Sequence, residues 1–468
     1  MKTHIHWFRN DLRLADNPAL SEAARAGAKV VCVYILSPEA PWAMGGASKA
    51  WLHASLSALA KELSDRGVKL FCGIGDPVRL LQKISEKVKA SAVYWNRSYE
   101  PYGIELGNKV KTTLRDKGIE CHSFSGNLLL EPWQLKNGSG EPYRVFTPYW
   151  KAAKKIYVEL EPPLRRPSLE SYAGELPGFG AVEALKLLTG HPWEKKMLQY
   201  WEPGENGAKK RLTKLTESFL KAYPTQRDLP ELEGTSCLSP HLHFGEISPK
   251  QILSAIGLKG AAESFIRQVA WREFGHSLLY YFPETTSEPL NPQFKNFSWK
   301  ADSKALEKWK KGMTGYPIVD AGMRELWETG WMHNRVRMIA ASFLVKDLLV
   351  HWREGAAWFW ETLVDADLAN NTLGWQWVAG CGADAAPFFR IFNPMLQGKK
   401  FDPDGNYVRT WLPELSKLPN KAIHEPWTLS AEELRACGVE LGKTYPKPML
   451  DHGMARDRAL EHYQALKS

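Results

Sequence analysis

A short stretch rich in hydroxyl side chains is the first candidate ligand-binding site in this sequence. Residues 234–240 read GTSCLSP, and Ser239 followed by Pro240 is a strong signal for the start of a helix. Free backbone N–H groups, the positive end of a helix dipole and small hydroxyl side chains together form a cradle for a phosphate group. An ordinary helix cap has the same pattern, so both interpretations stay open.

Tryptophan is unusually frequent. The chain has 20 tryptophans in 468 residues, and half of them lie between Trp271 and Trp377. A buried indole needs a partner for its N–H group, which makes tryptophan costly as a mere core filler. Such side chains serve either as platforms on which bases stack or as carriers of single electrons. The alternative is that they form the core of a helical domain.

Charged side chains occur on segments that read as buried helix. Arg337 lies in the most apolar helical pattern, and Asp365 and Asp367 follow downstream. Because an unpaired charge in an apolar interior is expensive, we expect Arg337 to pair with Asp365. The pair is either a structural ion pair or a charged contact to a cofactor.

The elements that must position these residues form an α/β part and a helical part. Strand-like runs alternate with helical patterns over the first 125 residues, which predicts a doubly wound, parallel, five-stranded sheet of the Rossmann-like kind. The predicted strands are His4–Phe8, Lys29–Leu36, Val68–Gly73, Ala92–Asn96 and Ile119–Phe124. From Gly207 onward the patterns are helical, and Asn334–Trp352 reads as one central buried helix. We predict an α/β domain over 1–130, a proline-rich connector with short helices over 131–203 and a helical domain over 204–468.

Composition excludes several classes of protein. The 61 Lys+Arg and 52 Asp+Glu residues give a net charge of +9, which permits a polyanionic partner without requiring one. No apolar run approaches a membrane span, and early charged residues argue against a signal peptide. The six cysteines contain no C-x-x-C pair, so we expect no metal site and a reducing, cytoplasmic location. The usual motifs of P-loop ATPases, dehydrogenases, zinc proteases and serine hydrolases are absent from the sequence.

Long segments in order along the whole chain resemble the photolyase/cryptochrome family, and most of all its bacterial cyclobutane pyrimidine dimer (CPD) DNA photolyases. They are WFRNDLRLADNPAL (Trp7–Leu20), VFTPYWKA (Val145–Ala152), GTSCLSPHLHFGEISP (Gly234–Pro249), WREF (Trp271–Phe274), TGYPIVDAGMREL (Thr314–Leu326), GWMHNRVRM (Gly330–Met338), DADLANNTLGWQW (Asp365–Trp377) and DAAPFFRIFNP (Asp384–Pro394).

The resemblance implies two chromophores. The helical domain of the family holds FAD, and an asparagine that matches Asn371 faces the flavin N5 atom. The residues that the resemblance assigns to FAD are Tyr223, Thr235, Ser236, Cys237, Leu238, Ser239, Phe265, Arg337, Asp365, Asp367 and Asn371. The α/β domain holds a light-harvesting antenna, for which we favour methenyltetrahydrofolate over a deazaflavin. The antenna segments of the family match Gly45–Leu52 and Trp95–Glu100.

The implied reaction is light-dependent DNA repair. One electron from excited, fully reduced FAD splits a cyclobutane pyrimidine dimer that has been flipped out of the duplex. The family relays electrons to oxidised flavin along three tryptophans, which here are Trp375, Trp352 and Trp299 from the flavin outward. The residues implied to contact the lesion or its backbone are Arg227, Gln268, Trp271, Arg272, Asn334, Arg335, Met338, Trp377 and Gln397, with Trp271 and Trp377 as aromatic walls. We expect a monomer in the bacterial cytosol, associated with the nucleoid, whose partner is UV-damaged DNA.

Three positions bear on the choice of lesion. Gln268 stands where CPD photolyases usually have glutamate, and glutamine there is typical of (6-4) photolyases and animal-type cryptochromes. Asn334 and Met338 stand where (6-4) photolyases have their two catalytic histidines, and without those the acid step of (6-4) repair has no evident donor. We therefore predict CPD repair, with a (6-4) photolyase or a cryptochrome-type blue-light receptor as alternatives. A long C-terminal extension would favour the receptor, and this chain ends at Ser468.

Overall fold

The computed structural model describes residues 2–384 and 389–466. Residues 385–388, which belong to the Asp384–Pro394 motif, and Ser468 lie outside the described residues. The chain divides into two compact units, each of which is discontinuous in sequence. The first unit is Met1–Lys221 with Ser236–Pro283, and the second is Ala222–Thr235 with Glu284–Ser468.

These compact units do not follow the predicted boundaries 1–130, 131–203 and 204–468. The first unit contains the α/β segment, the proline-rich segment and part of the chain that we assigned to the helical domain. Packing and sequence domains need not coincide, so the three ranges remain a prediction.

A parallel sheet forms the centre of the first unit. The main strand order is β3-β2-β1-β4-β5, and a short β6 pairs with the start of β2. Each strand pair is parallel. The predicted five-stranded, doubly wound sheet is thus confirmed, with β6 as an addition from the proline-rich segment. The strands are β1 (Thr3–Phe8), β2 (Lys29–Leu36), β3 (Leu70–Ile74), β4 (Ala92–Asn96), β5 (Glu120–Phe124) and β6 (Glu170–Ser171).

Helices cover this sheet and continue beyond it. Many begin with proline, which fixes φ and lacks an N–H group that the first turn would leave unpaired. Those of the first unit are α1 (Pro18–Ala23), α2 (Gly46–Ser64), α3 (Pro77–Val88), α4 (Pro101–Arg115), α5 (Phe146–Tyr157), α6 (Pro192–Leu198), α7 (Glu205–Lys214), α9 (Ser239–His243), α10 (Pro249–Ile256) and α11 (Ala261–Tyr281).

Buried polar contacts join the later part of the first unit to its sheet. Arg13 is fully buried after β1, and its guanidinium donates to the Gly245 carbonyl at 2.9 Å. The Trp51 indole in α2 donates to the Glu246 carboxylate at 2.8 Å. A buried group that is hydrogen-bonded in this way would cost several kcal/mol to leave unpaired, so these contacts hold the loop between α9 and α10 against α2 and the segment that follows β1.

The second unit is helical around one continuous apolar core. Trp309, Leu326, Val336 and Leu344 in that core are fully buried. Throughout residues 2–384 and 389–466, no helix is long and apolar enough to cross a membrane. The helices of this unit are α8 (Tyr223–Gln226), α12 (Ser303–Lys310), α13 (Pro317–Thr329), α14 (Asn334–Ser342), α15 (Trp352–Thr362), α16 (Leu368–Ala379), α17 (Pro394–Phe401), α18 (Asn406–Trp411), α19 (Ala431–Ala436) and α20 (His452–Gln464).

The prediction of one helix over Asn334–Trp352 is wrong. The segment forms α14 and then a π-helical turn over Phe343–Asp347, after which the helix ends. Leu349 has a left-handed backbone with φ of 57°, which a leucine adopts only under tertiary constraint. Trp352 then begins α15 as a separate helix. The apolar composition of the segment was read correctly, but it does not reveal this break.

Candidate active site

An ion pair that the sequence predicts is present in the second unit. A guanidinium nitrogen of Arg337 is 2.9 Å from Asp365 Oδ2, which confirms the expected pairing. The Arg337 Nε atom also donates to the Met332 carbonyl at 2.7 Å. With two of its edges held, the guanidinium has a fixed orientation, as binding an anionic or polar ligand would require.

Two further predicted FAD residues belong to α16. Asp367 is the N-cap of this helix and accepts from the Asn370 backbone N–H at 2.9 Å, so at least part of its role is structural. One turn later, Asn371 uses its amide nitrogen to donate to the Ala356 carbonyl at 3.0 Å. That contact fixes the side chain and leaves the amide oxygen to act as an acceptor. An acceptor fits the N5–H group of a reduced flavin, as the resemblance implies for Asn371.

A buried carboxyl lies under the loop that leads into α14. Glu325 accepts hydrogen bonds from the Tyr407 hydroxyl at 2.6 Å and from the His333 backbone N–H at 3.3 Å. Burial raises the pKa of Glu325 to about 7, although these bonds and Arg337 act against it. Burial also lowers the pKa of His333 to about 4, so this imidazole is neutral near pH 7.

The first turn of α14 carries three of the predicted DNA contacts. Asn334 is exposed, and its amide nitrogen lies 3.8 Å from the Met338 sulfur one turn later. Arg335 lies beside them and pairs with Asp228 at 3.0 Å. The structure therefore brings Asn334, Arg335 and Met338 together on one face of the helix.

The predicted residues near α8 belong to the same unit. Arg227 lies over the Tyr223 ring at 5.5 Å and is 3.9 Å from the Asp228 carboxylate. Because Asp228 also binds Arg335, the predicted DNA contacts Arg227 and Arg335 share one carboxylate. Tyr223 is buried, and Thr235 at the end of this segment is half-buried.

The three predicted relay tryptophans all lie in the second unit. Trp375 and Trp352 are each 2% exposed, whereas Trp299 is half-buried. Trp375 packs so closely on Gly355 that a side chain there would lie 2.0 Å from its ring. Since Gly355 is one turn from Trp352 on α15, the glycine lets α16 approach the helix that carries the second tryptophan.

The last two predicted DNA contacts of this unit are Trp377 and Gln397. Trp377 is half-buried, and its indole N–H donates to the Asp384 carbonyl at 3.1 Å. Gln397 is half-buried on α17, next to Leu396, which is 60% exposed. Both side chains are therefore partly accessible at the surface of the second unit.

The hydroxyl-rich stretch leads into helix α9 of the first unit. The expected cap by Ser239 is wrong, because Ser239 is the first residue of α9 and Leu238 is its N-cap. The Ser236 hydroxyl accepts from the Leu238 backbone N–H at 3.2 Å, and Cys237 between them has a left-handed φ of 52°. This contact closes a turn before α9, and the N-cap residue makes no side-chain capping bond. The phosphate-binding role of this stretch stays a prediction.

Helix α11 carries the predicted residues Phe265, Gln268, Trp271 and Arg272. Phe265 is buried, and the Gln268 amide donates to the Ser264 carbonyl at 3.4 Å. Arg272 donates to the Asn127 carbonyl at 2.9 Å, which uses part of its guanidinium for structure within the first unit.

The indole of Trp271 stacks on a second aromatic ring. Its centroid is 3.7 Å from that of Phe146, and the planes differ by 11°. Phe146 is fully buried at the start of α5, whereas Trp271 is half-buried. One face of Trp271 is therefore covered, and the ring has the fixed orientation that a stacking platform needs.

The predicted antenna segments are used largely for packing. Trp51 is fully buried and bonded to Glu246, and Trp95 is 1% exposed and packs on Trp7. Next to Trp95, the Asn96 amide donates to Asp11 Oδ2 at 2.6 Å. These two tryptophans belong to the core of the first unit, so neither offers a free ring to a chromophore.

Three residues of the candidate site were not predicted from the sequence. Phe146 supports Trp271, Glu325 holds His333, and His351 packs against two relay tryptophans. Phe146 and Glu325 both occur within the recognised segments, which was the only available signal. Elsewhere in the described chain, no group of three or more His, Cys, Asp or Glu side chains is arranged to hold a metal ion.

Family models match most of the chain. Residues 4–168 match the model described as DNA photolyase, and residues 265–465 match the model described as the FAD binding domain of DNA photolyase. The second match supports FAD as the cofactor. The antenna chromophore is not identified by either match.

Individual relatives cover nearly the whole sequence. A deoxyribodipyrimidine photo-lyase of Agrobacterium fabrum is 48% identical over 475 residues, which span 99% of this chain and 98% of the relative. Cryptochrome-2 of Arabidopsis thaliana is 38% identical over 97% of this chain and 78% of its own length. The crystal structure of a bacterial class III photolyase from Agrobacterium tumefaciens has a TM-score of 0.96 at 48% identity and covers 100% of this chain and 98% of that one. The photo-lyases among these relatives confirm the predicted enzyme class. The chain belongs to the photolyase/cryptochrome family.

Proposed function

We propose that this protein is a CPD photolyase, which uses light to split cyclobutane pyrimidine dimers in UV-damaged DNA by electron transfer from excited, reduced FAD. The observation that carries the proposal is the first turn of α14. Asn334 and Met338 lie together there, at the positions where (6-4) photolyases have their catalytic histidines. Neither side chain can supply the proton that (6-4) repair needs.

The residues that we propose to hold FAD in the second unit are Arg337, Asp365, Asp367 and Asn371. Arg337 supplies a fixed cation, and Asn371 supplies an amide oxygen as acceptor. Tyr223 and Thr235 in this unit complete the proposed set. In the first unit we assign Ser236, Cys237, Leu238, Ser239 and Phe265 to the same cofactor, on the resemblance alone.

We propose that Trp375, Trp352 and Trp299 relay electrons one at a time. Burial decreases from Trp375 and Trp352 to Trp299, as a path that ends at the protein surface requires. The close approach of Trp375 to Gly355 supports the first step, because it brings α15 and α16 together at that point.

The proposed lesion contacts combine charge and aromatic surface. Arg227, Arg335 and Arg272 would bind phosphates, which predicts an affinity that falls with salt and depends little on sequence. Trp271 and Trp377 would stack on the flipped lesion, and Phe146 keeps Trp271 in a fixed plane. Gln268, Asn334, Met338 and Gln397 complete the proposed set. We further propose a monomer located in the cytosol and associated with the nucleoid.

The antenna that we propose is methenyltetrahydrofolate, with a deazaflavin as the alternative. Both predicted antenna segments lie in the first unit, but their tryptophans Trp51 and Trp95 are buried. Any contact from these segments must therefore come from other residues in them. Extraction of the purified protein, followed by absorption spectroscopy and mass spectrometry of the released chromophores, distinguishes the two.

The main alternative is a cryptochrome-type receptor or a (6-4) photolyase. Cryptochrome-2 of Arabidopsis is 38% identical to this chain, and Gln268 is an identity found in cryptochromes and (6-4) photolyases. A glutamine can donate and accept hydrogen bonds, but it cannot transfer a proton to a lesion. Repair activity therefore separates these possibilities.

The test gives the photoreduced protein two duplexes under blue light, one with a single thymine cyclobutane dimer and one with a (6-4) product. The proposal predicts loss of the cyclobutane dimer and no change in the (6-4) product. Repair of the (6-4) product alone would support that alternative, and repair of neither would favour the receptor.

A further inference from the structure

A histidine packs against two of the proposed relay tryptophans. The ring centroid of His351 is 5.0 Å from that of Trp299 and 5.6 Å from that of Trp352. All three residues belong to the second unit. His351 is half-buried, and it directly precedes the buried Trp352 in sequence.

The backbone around His351 is held in an unusual conformation. Leu349 is fully buried with φ of 57°, and its carbonyl accepts from the Lys300 N–H at 2.7 Å. Lys300 and Val350 also form an isolated β-bridge. This parallel bridge lies one residue after Trp299 and one residue before His351, so it holds the two chain segments side by side where the rings are in contact. A left-handed leucine persists only where the surrounding structure enforces it.

The imidazole of His351 has a defined protonation state. Its Nδ1 atom accepts from the Arg353 N–H at 3.1 Å and so caps α15, which assigns the ring proton to Nε2. Burial and the charge of Arg353 lower the pKa of His351 to about 4, against an opposite effect of Glu288. The ring is therefore neutral near pH 7. A protonated ring would place a positive charge beside the indoles and would destabilise a tryptophan radical cation there.

We propose that His351 is a positioning residue for electron transfer between Trp299 and Trp352, which it couples by packing a neutral aromatic ring against both indoles. In this step, one electron passes from Trp299 to the Trp352 radical cation. Trp352 becomes neutral and Trp299 becomes the radical cation, which an external thiol then reduces while the thiol becomes a thiyl radical and loses its proton. His351 keeps its proton throughout. The inference rests on the relay in the proposed function.

Three substitutions separate the ring from the cap. His351→Phe keeps an aromatic ring and loses the Nδ1 acceptor, His351→Asn keeps a capping acceptor and loses the ring, and His351→Ala loses both. His462→Ala is the matched control. The His462 Nδ1 atom donates to the Ser298 carbonyl at 3.0 Å and its ring lies 6.0 Å from that of Phe297. The change therefore disturbs the segment before Trp299 but removes no ring that packs on Trp299 or Trp352.

The measurement is time-resolved absorption of tryptophan radicals after a blue flash on the FAD-loaded protein. We expect His351→Ala and His351→Asn to slow the outward step by about tenfold or more, equivalent to about 1.4 kcal/mol in the barrier, while His351→Phe and His462→Ala stay close to wild type. An unchanged rate in His351→Ala, or a normal rate in His351→Asn, would overturn the inference. Trp375→Phe tests the relay separately, since it should abolish tryptophan oxidation whatever stands at position 351.

A second readout needs no flavin. A protonated imidazole in contact with an indole quenches its fluorescence, so the emission of the flavin-free protein should fall on acidification with a midpoint near pH 4. The fall should be smaller in His351→Phe by the His351 contribution and unchanged in His462→Ala. Identical titrations of wild type and His351→Phe would contradict the contact between the imidazole and the indoles.

Discussion

Glu325 provides a quantitative prediction about pH and stability. The residue is 7% exposed, and burial raises the pKa of its carboxyl from 4.5 to about 7. The folded protein therefore holds this proton more tightly than the unfolded chain does. Below pH 4.5 both states are protonated and the stabilisation is complete, and it is lost as the pH rises to 7, because unfolding then releases the proton.

The magnitude follows from the two pKa values. At 1.36 kcal/mol for each pKa unit, the free energy of unfolding should fall by about 3 kcal/mol through this group as the pH rises from 4.5 to above 7. Glu325→Gln is neutral at every pH and can still accept from Tyr407 and from the His333 N–H. Relative to wild type, the variant should therefore gain about 3 kcal/mol between pH 4.5 and pH 8.

The assay is urea unfolding at a series of pH values, followed by tryptophan fluorescence, with the exposed Glu354→Gln as control. A Glu325→Leu variant should be less stable than Glu325→Gln at every pH, because the Tyr407 hydroxyl and the His333 N–H lose their acceptor at about 1–3 kcal/mol each. If the difference between Glu325→Gln and wild type is the same at pH 4.5 and pH 8, the raised pKa is refuted.

Three other predictions concern single side chains. Asp320 is fully buried and accepts hydrogen bonds from two backbone N–H groups, a threonine hydroxyl and the Tyr445 hydroxyl. Asp320→Ala should therefore lower the free energy of unfolding, measured by urea unfolding, by about 4 kcal/mol or more. Asp320→Asn should lower it by less. Arg337→Met leaves Asp365 without its partner and should weaken FAD retention by about tenfold to a hundredfold, measured by fluorescence of released flavin. Gln268→Glu should raise the quantum yield of CPD repair, and an unchanged yield would show that the amide is an adequate substitute.

Local patterns predicted the α/β layer well because its signals are short-range. In the run Lys29–Leu36 every residue after Lys29 is apolar or aromatic, and the structure gives the strand the same bounds. The strand Ala92–Asn96 also coincides with its predicted bounds. In each case the period of apolar residues fixes the type of element and nearby polar residues fix its ends.

Features that depend on distant partners were not predictable in this way. The break before Trp352 requires Leu349 to bond Lys300, and nothing in the apolar sequence around Leu349 announces that contact. The buried carboxyl of Glu325 accepts a hydrogen bond from Tyr407, which is 82 residues away in sequence. The Arg337–Asp365 pair was predictable because an unpaired buried charge is energetically costly, so Arg337 needs a carboxylate partner. Few carboxylates follow it closely in the sequence.

The most direct test of the central claim is a comparison of flavin states in a single-turnover repair assay. The purified protein, with its FAD fully reduced or fully oxidised, is mixed with a duplex that carries one thymine cyclobutane dimer and is exposed to a blue flash or kept in the dark. We predict that the dimer is converted to two thymines only by the reduced protein and only after the flash. Repair in the dark, repair that does not depend on the flavin state, or an intact dimer in every sample would contradict the account.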